Sequence, residues 1–153
     1  MDPKLLQKYP AGTLLLTLTH PECEEVRIGY HILPEFEFRP PSILLFNVEP
    51  NRPVRREVWL VNNYGEDFEI TSCTSAVHLV EVVEQERVPA EDQKSFCYHL
   101  RLAFKPPPVS GDQNVFGDTL ILRVAGGRTL QLPCRLFYSR PQVPFTNVRI
   151  RPH

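Results

Sequence analysis

Alternation of apolar and polar residues with a period of two runs through most of the chain. In residues 96–104, FCYHLRLAF, the side chains of Phe96, Tyr98, Leu100, Leu102 and Phe104 fall on one face, and Cys97, His99, Arg101 and Ala103 on the other. Residues 56–62, REVWLVN, alternate Val58 and Leu60 against Trp59 and Val61. Both sides are apolar, as in a central strand covered on both faces, so Trp59 is expected in the core. Shorter strands are expected at 42–46, 68–70 and 77–83. Between them, NNYGED at 62–67 holds residues that tolerate positive φ. The acidic EQERVPAEDQ at 84–93 reads as a solvated loop, and the proline-rich 105–118 as irregular. AGGR at 125–128 reads as a tight hairpin turn, with Gly126 and Gly127 where a type I′ turn needs φ > 0.

One hairpin pattern occurs twice. GTLLLTLTHPECEEVRIGYHI, 12–32, and GDTLILRVAGGRTLQLPCRLF, 117–137, each run as Gly, alternating strand, turn, alternating strand. Thr13–Leu16 correspond to Thr119–Leu122, and Val26–Ile28 to Leu130–Leu132. FEFRP at 36–40 is echoed by VRIRP at 148–152. A repeat at a spacing near one immunoglobulin-sized domain is the mark of a tandem array. The expected organisation is a leader or remnant at 1–10, the terminal hairpin of a preceding repeat at 11–34, a complete domain at 35–140, and a linker with the first strand of a following repeat at 141–153. The fold class is all-β, an immunoglobulin-like β-sandwich of about seven strands with an extra N-terminal hairpin. Its inward set is Leu45, Val58, Leu60, Phe68, Ile70, Tyr98, Leu100, Leu102, Leu120, Leu122, Leu130 and Leu132.

Composition narrows the classes further. The 16 prolines and 7 glycines among 153 residues leave room for one helical turn at most, at 2–9. With 42% hydrophobic residues the chain is globular, and a net charge of −1 gives no phosphate-seeking surface. No apolar run approaches the roughly 20 residues needed to span a bilayer, and the first residues do not read as a signal peptide.

PPSILLFNVEPNRPVRREVWLVNNYGEDFEI, followed by YHLRLAFKPPPVSGDQNVFGDTLIL and LQLPCRLF, resembles the abnormal-spindle/hydin-like branch of immunoglobulin folds. More closely, it resembles an uncharacterised bacterial family of extracytoplasmic immunoglobulin-like domains related to that branch. Asn63, Gly65, Phe68 and Ile70 match the family's N..G..F.I element; Gly111, Gly117, Leu120 and Leu122 match its G...G.L.L element. THPE at 19–22 is similar to the turn of the family's final hairpin. The Cys-Gly-Cys segment carried by many members is absent, and Cys73 stands alone there, so no thiol or metal chemistry is carried over. The resemblance implies an extracytoplasmic setting, in the periplasm, at the cell surface or secreted.

Candidate chemistry is sparse. Four cysteines, Cys23, Cys73, Cys97 and Cys134, are an even count that invites disulfides, but Cys134 shares its face with Leu130, Leu132 and Leu136 and reads as a small buried hydrophobe. Cys97 and His99 point the same way on one strand and could begin a metal site. Zinc, however, needs further ligands at set spacings, and His20, His31, His78 and His153 are scattered. Cys97 is expected to face solvent. Glu22, Glu24, Glu25, Glu84, Glu86, Glu91 and Asp92 read as solvated loop charges. Arg135, Arg140, Arg149 and Arg151 are too thin for a nucleic-acid arm. No nucleophile elbow, phosphate loop or metalloprotease helix is present. The sequence therefore points to no catalytic, cofactor or metal residue.

The function expected is a non-catalytic structural or protein-interaction module, with protein partners or neighbouring repeats. No nucleic acid or membrane insertion is expected, and a strand-exchanged homodimer through VRIRP is one arrangement. The alternative is a carbohydrate-binding accessory module with Tyr30, Tyr64, Trp59 or Tyr138 as stacking platforms.

Overall fold

The structure is a computed structural model that describes residues 11–20, 22–91 and 95–139. The helical turn expected at 2–9, the linker and strand expected at 141–153, and the side chains of His20, Cys23 and Glu24 lie outside the described residues. Among the described residues there are ten strands: β1 (Ala11–His20), β2 (Cys23–His31), β3 (Phe36–Arg39), β4 (Ile43–Val48), β5 (Val54–Asn62), β6 (Ile70–Ser75), β7 (Val80–Pro89), β8 (Phe96–Phe104), β9 (Val115–Val124) and β10 (Thr129–Tyr138). One four-stranded sheet has the order β4-β10-β9-β6, and a second has the order β3-β5-β8-β7; β1 and β2 form a sheet of their own. The two larger sheets make an immunoglobulin-like sandwich. All their pairings are antiparallel except β4 with β10, which is parallel.

The sandwich has eight strands where about seven were expected, because the first divides. Pro40 and Pro41 offer no backbone N–H, so the ladder that β3 makes with β5 cannot continue through them. The Arg39–Pro40 peptide is cis, and beyond it the chain crosses to the other sheet as β4.

The core lies between the sheets. Val58, Leu60, Leu100, Leu102, Phe104, Leu122, Leu132 and Leu136 are wholly buried. Each such side chain contributes roughly 1.5–3 kcal/mol by leaving water. Of the expected inward set, Ile70 and Leu130 are half-buried at the margin and the rest lie within the core. Phe68 joins it edge-on to Phe36 at 5.1 Å, and its carbonyl accepts a hydrogen bond from the Tyr98 hydroxyl.

Several strand boundaries differ from expectation; β9, for one, begins at Val115, inside the segment expected to be irregular. Phe68 precedes β6, which runs over the small polar ITSCTS instead of 68–70. Those residues alternate weakly, and their pairing with β9 is what makes them a strand. β7 begins at Val80, after His78 at φ 62°, and not at 77. It then runs through Glu84–Arg87, the segment expected to be a loop. β7 is a sheet edge, so its charged residues face water while its backbone pairs with β8. Charge along an edge strand also discourages pairing with other chains.

A clamp fixes the junction between β2 and β3. The Tyr64 hydroxyl donates to the Leu33 carbonyl at 2.9 Å, and the Asn63 amide Nδ2 donates to the Pro34 carbonyl at 2.8 Å. The Asn63 backbone N–H donates to the Glu35 carbonyl at 2.8 Å. From the β9–β10 turn, Arg128 pairs with the Glu35 carboxylate. The NNYG turn, quoted for its φ tolerance, is thus also a grip on the linker.

Candidate functional site

Two surfaces stand out among the described residues, and the first is the β1–β2 hairpin. Its register pairs Leu14 with Ile28 and Leu16 with Val26. In the sandwich, β9–β10 pairs Leu120 with Leu132 and Leu122 with Leu130. The residues matched by pattern are therefore also cross-strand partners in both hairpins. Their surroundings differ. β9 is bonded on its far side by β6, and β10 by β4; β1 and β2 pair only with each other among the described residues. Leu120, Leu122 and Leu132 are at most 1% exposed, whereas Leu16 is 45%, Leu18 42% and Ile28 43% exposed. An isolated two-stranded hairpin is marginal in water, and this one leaves its apolar face open.

One register position separates the two hairpins chemically. Asp118 faces Cys134 in β9–β10, and Gly12 faces Tyr30 in β1–β2. The Tyr30 ring lies across Gly12 so closely that a Cβ there would meet the hydroxyl oxygen at 2.7 Å.

The second surface is the outer face of the β3-β5-β8-β7 sheet. Register brings Arg39, Trp59, His99 and Glu86 into one row across its four strands. Trp59, expected in the core, is 39% exposed, because odd-numbered residues of β5 point away from the other sheet. Its indole stacks on the His99 ring with centroids 4.2 Å apart and planes 13° apart. His99 is buried; its Nε2 lies 3.3 Å from a Glu57 carboxylate oxygen but makes no hydrogen bond of good geometry. A cleft of about 500 Å³ opens beside the stack, with Trp59, Val61 and Cys97 among its lining and Arg39, Asn62 and Glu91 among its polar groups.

Other expectations change here. Cys97 is 6% exposed and does not face solvent, and burial pushes its thiol pKa up. Phe96, which alternation places on the same face as Tyr98 and Leu100, is exposed beneath the Arg87 guanidinium, 4.4 Å from the ring centroid. Tyr138 is no platform, being buried with its hydroxyl donating to the Pro107 carbonyl. Tyr64 is exposed, with its hydroxyl held by the linker. Tyr30 is half-buried over Gly12. Cys73, Cys97 and Cys134 are unpaired. Among the described residues no three His, Cys, Asp or Glu side chains converge as a metal site.

The sequence reading missed Asp118. Its carboxylate accepts hydrogen bonds from the Ser75 hydroxyl and from the backbone N–H groups of Val77, Leu79, Val80 and Thr119. Burial alone would raise its pKa, but these donors outweigh burial and hold the carboxyl below its ordinary value. An acid at an inward position of an otherwise apolar strand was the available signal.

No family model matches the chain, and no curated protein matches it. Among solved structures it is similar to the sialic acid binding region of a Streptococcus sanguinis SK1 adhesin, at 14% identity and a TM-score of 0.45 over 84% of this chain and 35% of that one. It is also similar to mouse clustered protocadherin PcdhgC3 EC1-3, at 14% identity and a TM-score of 0.39 over 85% of this chain and 43% of that one. Protocadherin gamma C5 EC1-3 matches at 13% identity and a TM-score of 0.38 over 91% of this chain and 46% of that one. The chain spans less than half the length of each. These are likenesses of β architecture and carry nothing about the site.

Proposed function

We propose that the chain is a non-catalytic structural module from a tandem array of immunoglobulin-like repeats, working through protein contacts. Residues 11–34 are the last two strands of one repeat, and 35–140 are the next repeat. The observation that carries this is the hairpin itself, which has the cross-strand register of β9–β10 but, among the described residues, has no flanking strand and no facing sheet. In the sandwich Leu120, Leu122 and Leu132 of that pattern are buried and Leu130 is half-buried. Leu14, Leu16, Leu18, Val26 and Ile28 therefore need a partner surface, supplied by the rest of a preceding repeat or by another protein chain.

Strand exchange through VRIRP is not the favoured route. That segment lies outside the described residues, and its counterpart β3 pairs with β5, not with the final hairpin. The partner class is protein, with no nucleic acid and no membrane insertion; among the described residues no helix is long and apolar enough to cross a membrane. The extracytoplasmic setting rests on the sequence resemblance alone.

Amide hydrogen exchange tests the reading. Protection of residues 14–28 should rise with protein concentration as the hairpin finds a partner, while protection in β5, β8 and β9 stays constant. Full protection of the hairpin in dilute monomer would contradict it.

A further inference from the structure

The cleft beside Trp59 has the makings of a ligand site that the hairpin reading does not use. Its apolar lining is Trp59, Val61 and Cys97, and polar groups flank it, Arg39 of β3 and Asn62 of β5 on one side and Glu91 of the β7–β8 turn on the other. Concave apolar floors with a few convergent polar groups are the usual form of small-molecule sites, and about 500 Å³ lies within their usual range. One face of the indole is stacked on His99, and Trp59 stays 39% exposed.

The chemistry of these groups selects a class of ligand. An open indole face carries the negative side of the aromatic quadrupole and attracts weakly positive C–H bonds presented edge to face. A pyranose sugar offers such a set of C–H bonds on one face and a rim of hydroxyls, each both donor and acceptor. The polar groups answer that rim. A guanidinium only donates, a carboxylate only accepts, and an amide does both. A purely apolar ligand would strip water from the exposed Arg39 and Glu91 and offer them nothing in return, at a cost in free energy. An anionic ligand would meet Glu91 and would compete with Glu37, which already pairs with Arg39 at 3.2 Å. We propose that the cleft binds a neutral pyranose sugar, one or two rings long, stacked on Trp59.

The chain has one tryptophan, so its emission reports on this site alone. The experiment titrates the full chain with methyl glucoside, methyl galactoside, N-acetylglucosamine and their disaccharides, following Trp59 fluorescence. The expected result is a saturable shift with at least one of them, with a dissociation constant in the micromolar-to-millimolar range, on the order of −4 to −8 kcal/mol. Glu91→Ala should weaken that binding several-fold and leave the sugar-free emission unchanged. Trp59→Ala should abolish saturation-transfer NMR signals from the same sugar, and Trp59→Phe should keep part of them. No saturable change across the panel overturns the proposal, as do transfer signals that persist in a folded Trp59→Ala. Self-association through the hairpin is a separate readout, so failure here leaves that reading standing.

Discussion

The hydroxyl of Ser75 donates to the carboxylate of Asp118, joining the end of β6 to β9. The same carboxylate gathers four backbone N–H groups, three of them in or just after the bend between β6 and β7. The crossing from one sheet to the other is therefore pinned by a single buried acid. Asp118→Ala should destabilise the domain by about 3 kcal/mol, because it strands several donors at a buried position. The folded-state pKa is lowered, so the ionised group's contribution is complete above the ordinary carboxylate range near 4 and is lost as pH falls through the lowered value. Denaturant melts from pH 7 to pH 2.5 should show the gap between wild type and Asp118→Ala narrowing only at the acid end. A pH-independent gap would mean that the charge contributes nothing.

The linker clamp predicts a separation of stability from orientation. Tyr64→Phe with Asn63→Ala removes the donors to the Leu33 and Pro34 carbonyls. These groups are partly exposed, so the sandwich should lose no more than about 2 kcal/mol. Residual dipolar couplings should then show the hairpin reorienting independently of the sandwich, whereas in wild type the two share one alignment.

Backbone geometry sets the next expectation. Gly126 and Gly127 sit at φ 94° and 84°. The turn closes from the Gly127 N–H to the Val124 carbonyl, centring it on Ala125 and Gly126, one residue earlier than a type I′ turn at the two glycines. A Cβ on Gly127 would meet nothing within 4 Å, so the cost of Gly127→Val lies in φ alone, roughly 1–3 kcal/mol by thermal or denaturant melting. Cys97→Ser, which would be nearly neutral on a solvent-facing site, should cost about 1–2 kcal/mol because the position is buried.

Thiol reactivity follows burial. Cys134 is buried in the core with its pKa pushed up to about 11, and burial also raises Cys73. The thiolate is the reactive form, so iodoacetamide at pH 8 should leave Cys134 unmodified in the native protein and alkylate it on unfolding. Rapid native labelling at Cys134, read by peptide mass spectrometry, would show that the core opens there.

Much of the architecture was legible because it rests on alternation. β5, β8, β9 and β10 carry inward leucines and valines at every second position, and these are the buried residues. Most of β6 lay beyond the strand expected at 68–70 because ITSCTS has little apolar contrast, and the second half of β7 was read as loop because edge-strand charges look like loop charges in one dimension. The outer-face burial of Cys97 and the exposure of Trp59 depend on which side of each strand meets the second sheet. Apolar residues on both faces of β5 and β8 hid that choice. The Trp59 cleft joins residues from β3, β5, β8 and the β7–β8 turn, and only the sheet register brings them together.

The central claim is that the β1–β2 hairpin is a repeat's closing hairpin in search of its complement. Sedimentation equilibrium over a wide concentration range, on wild type and on Leu16→Lys/Ile28→Lys, tests it most directly. With no neighbouring repeat supplied, wild-type chains should associate through their open apolar faces, and the double variant should remain monomeric with an unchanged sandwich melt. Wild type that stays monomeric at every concentration, or association that survives the two lysines, would contradict the account.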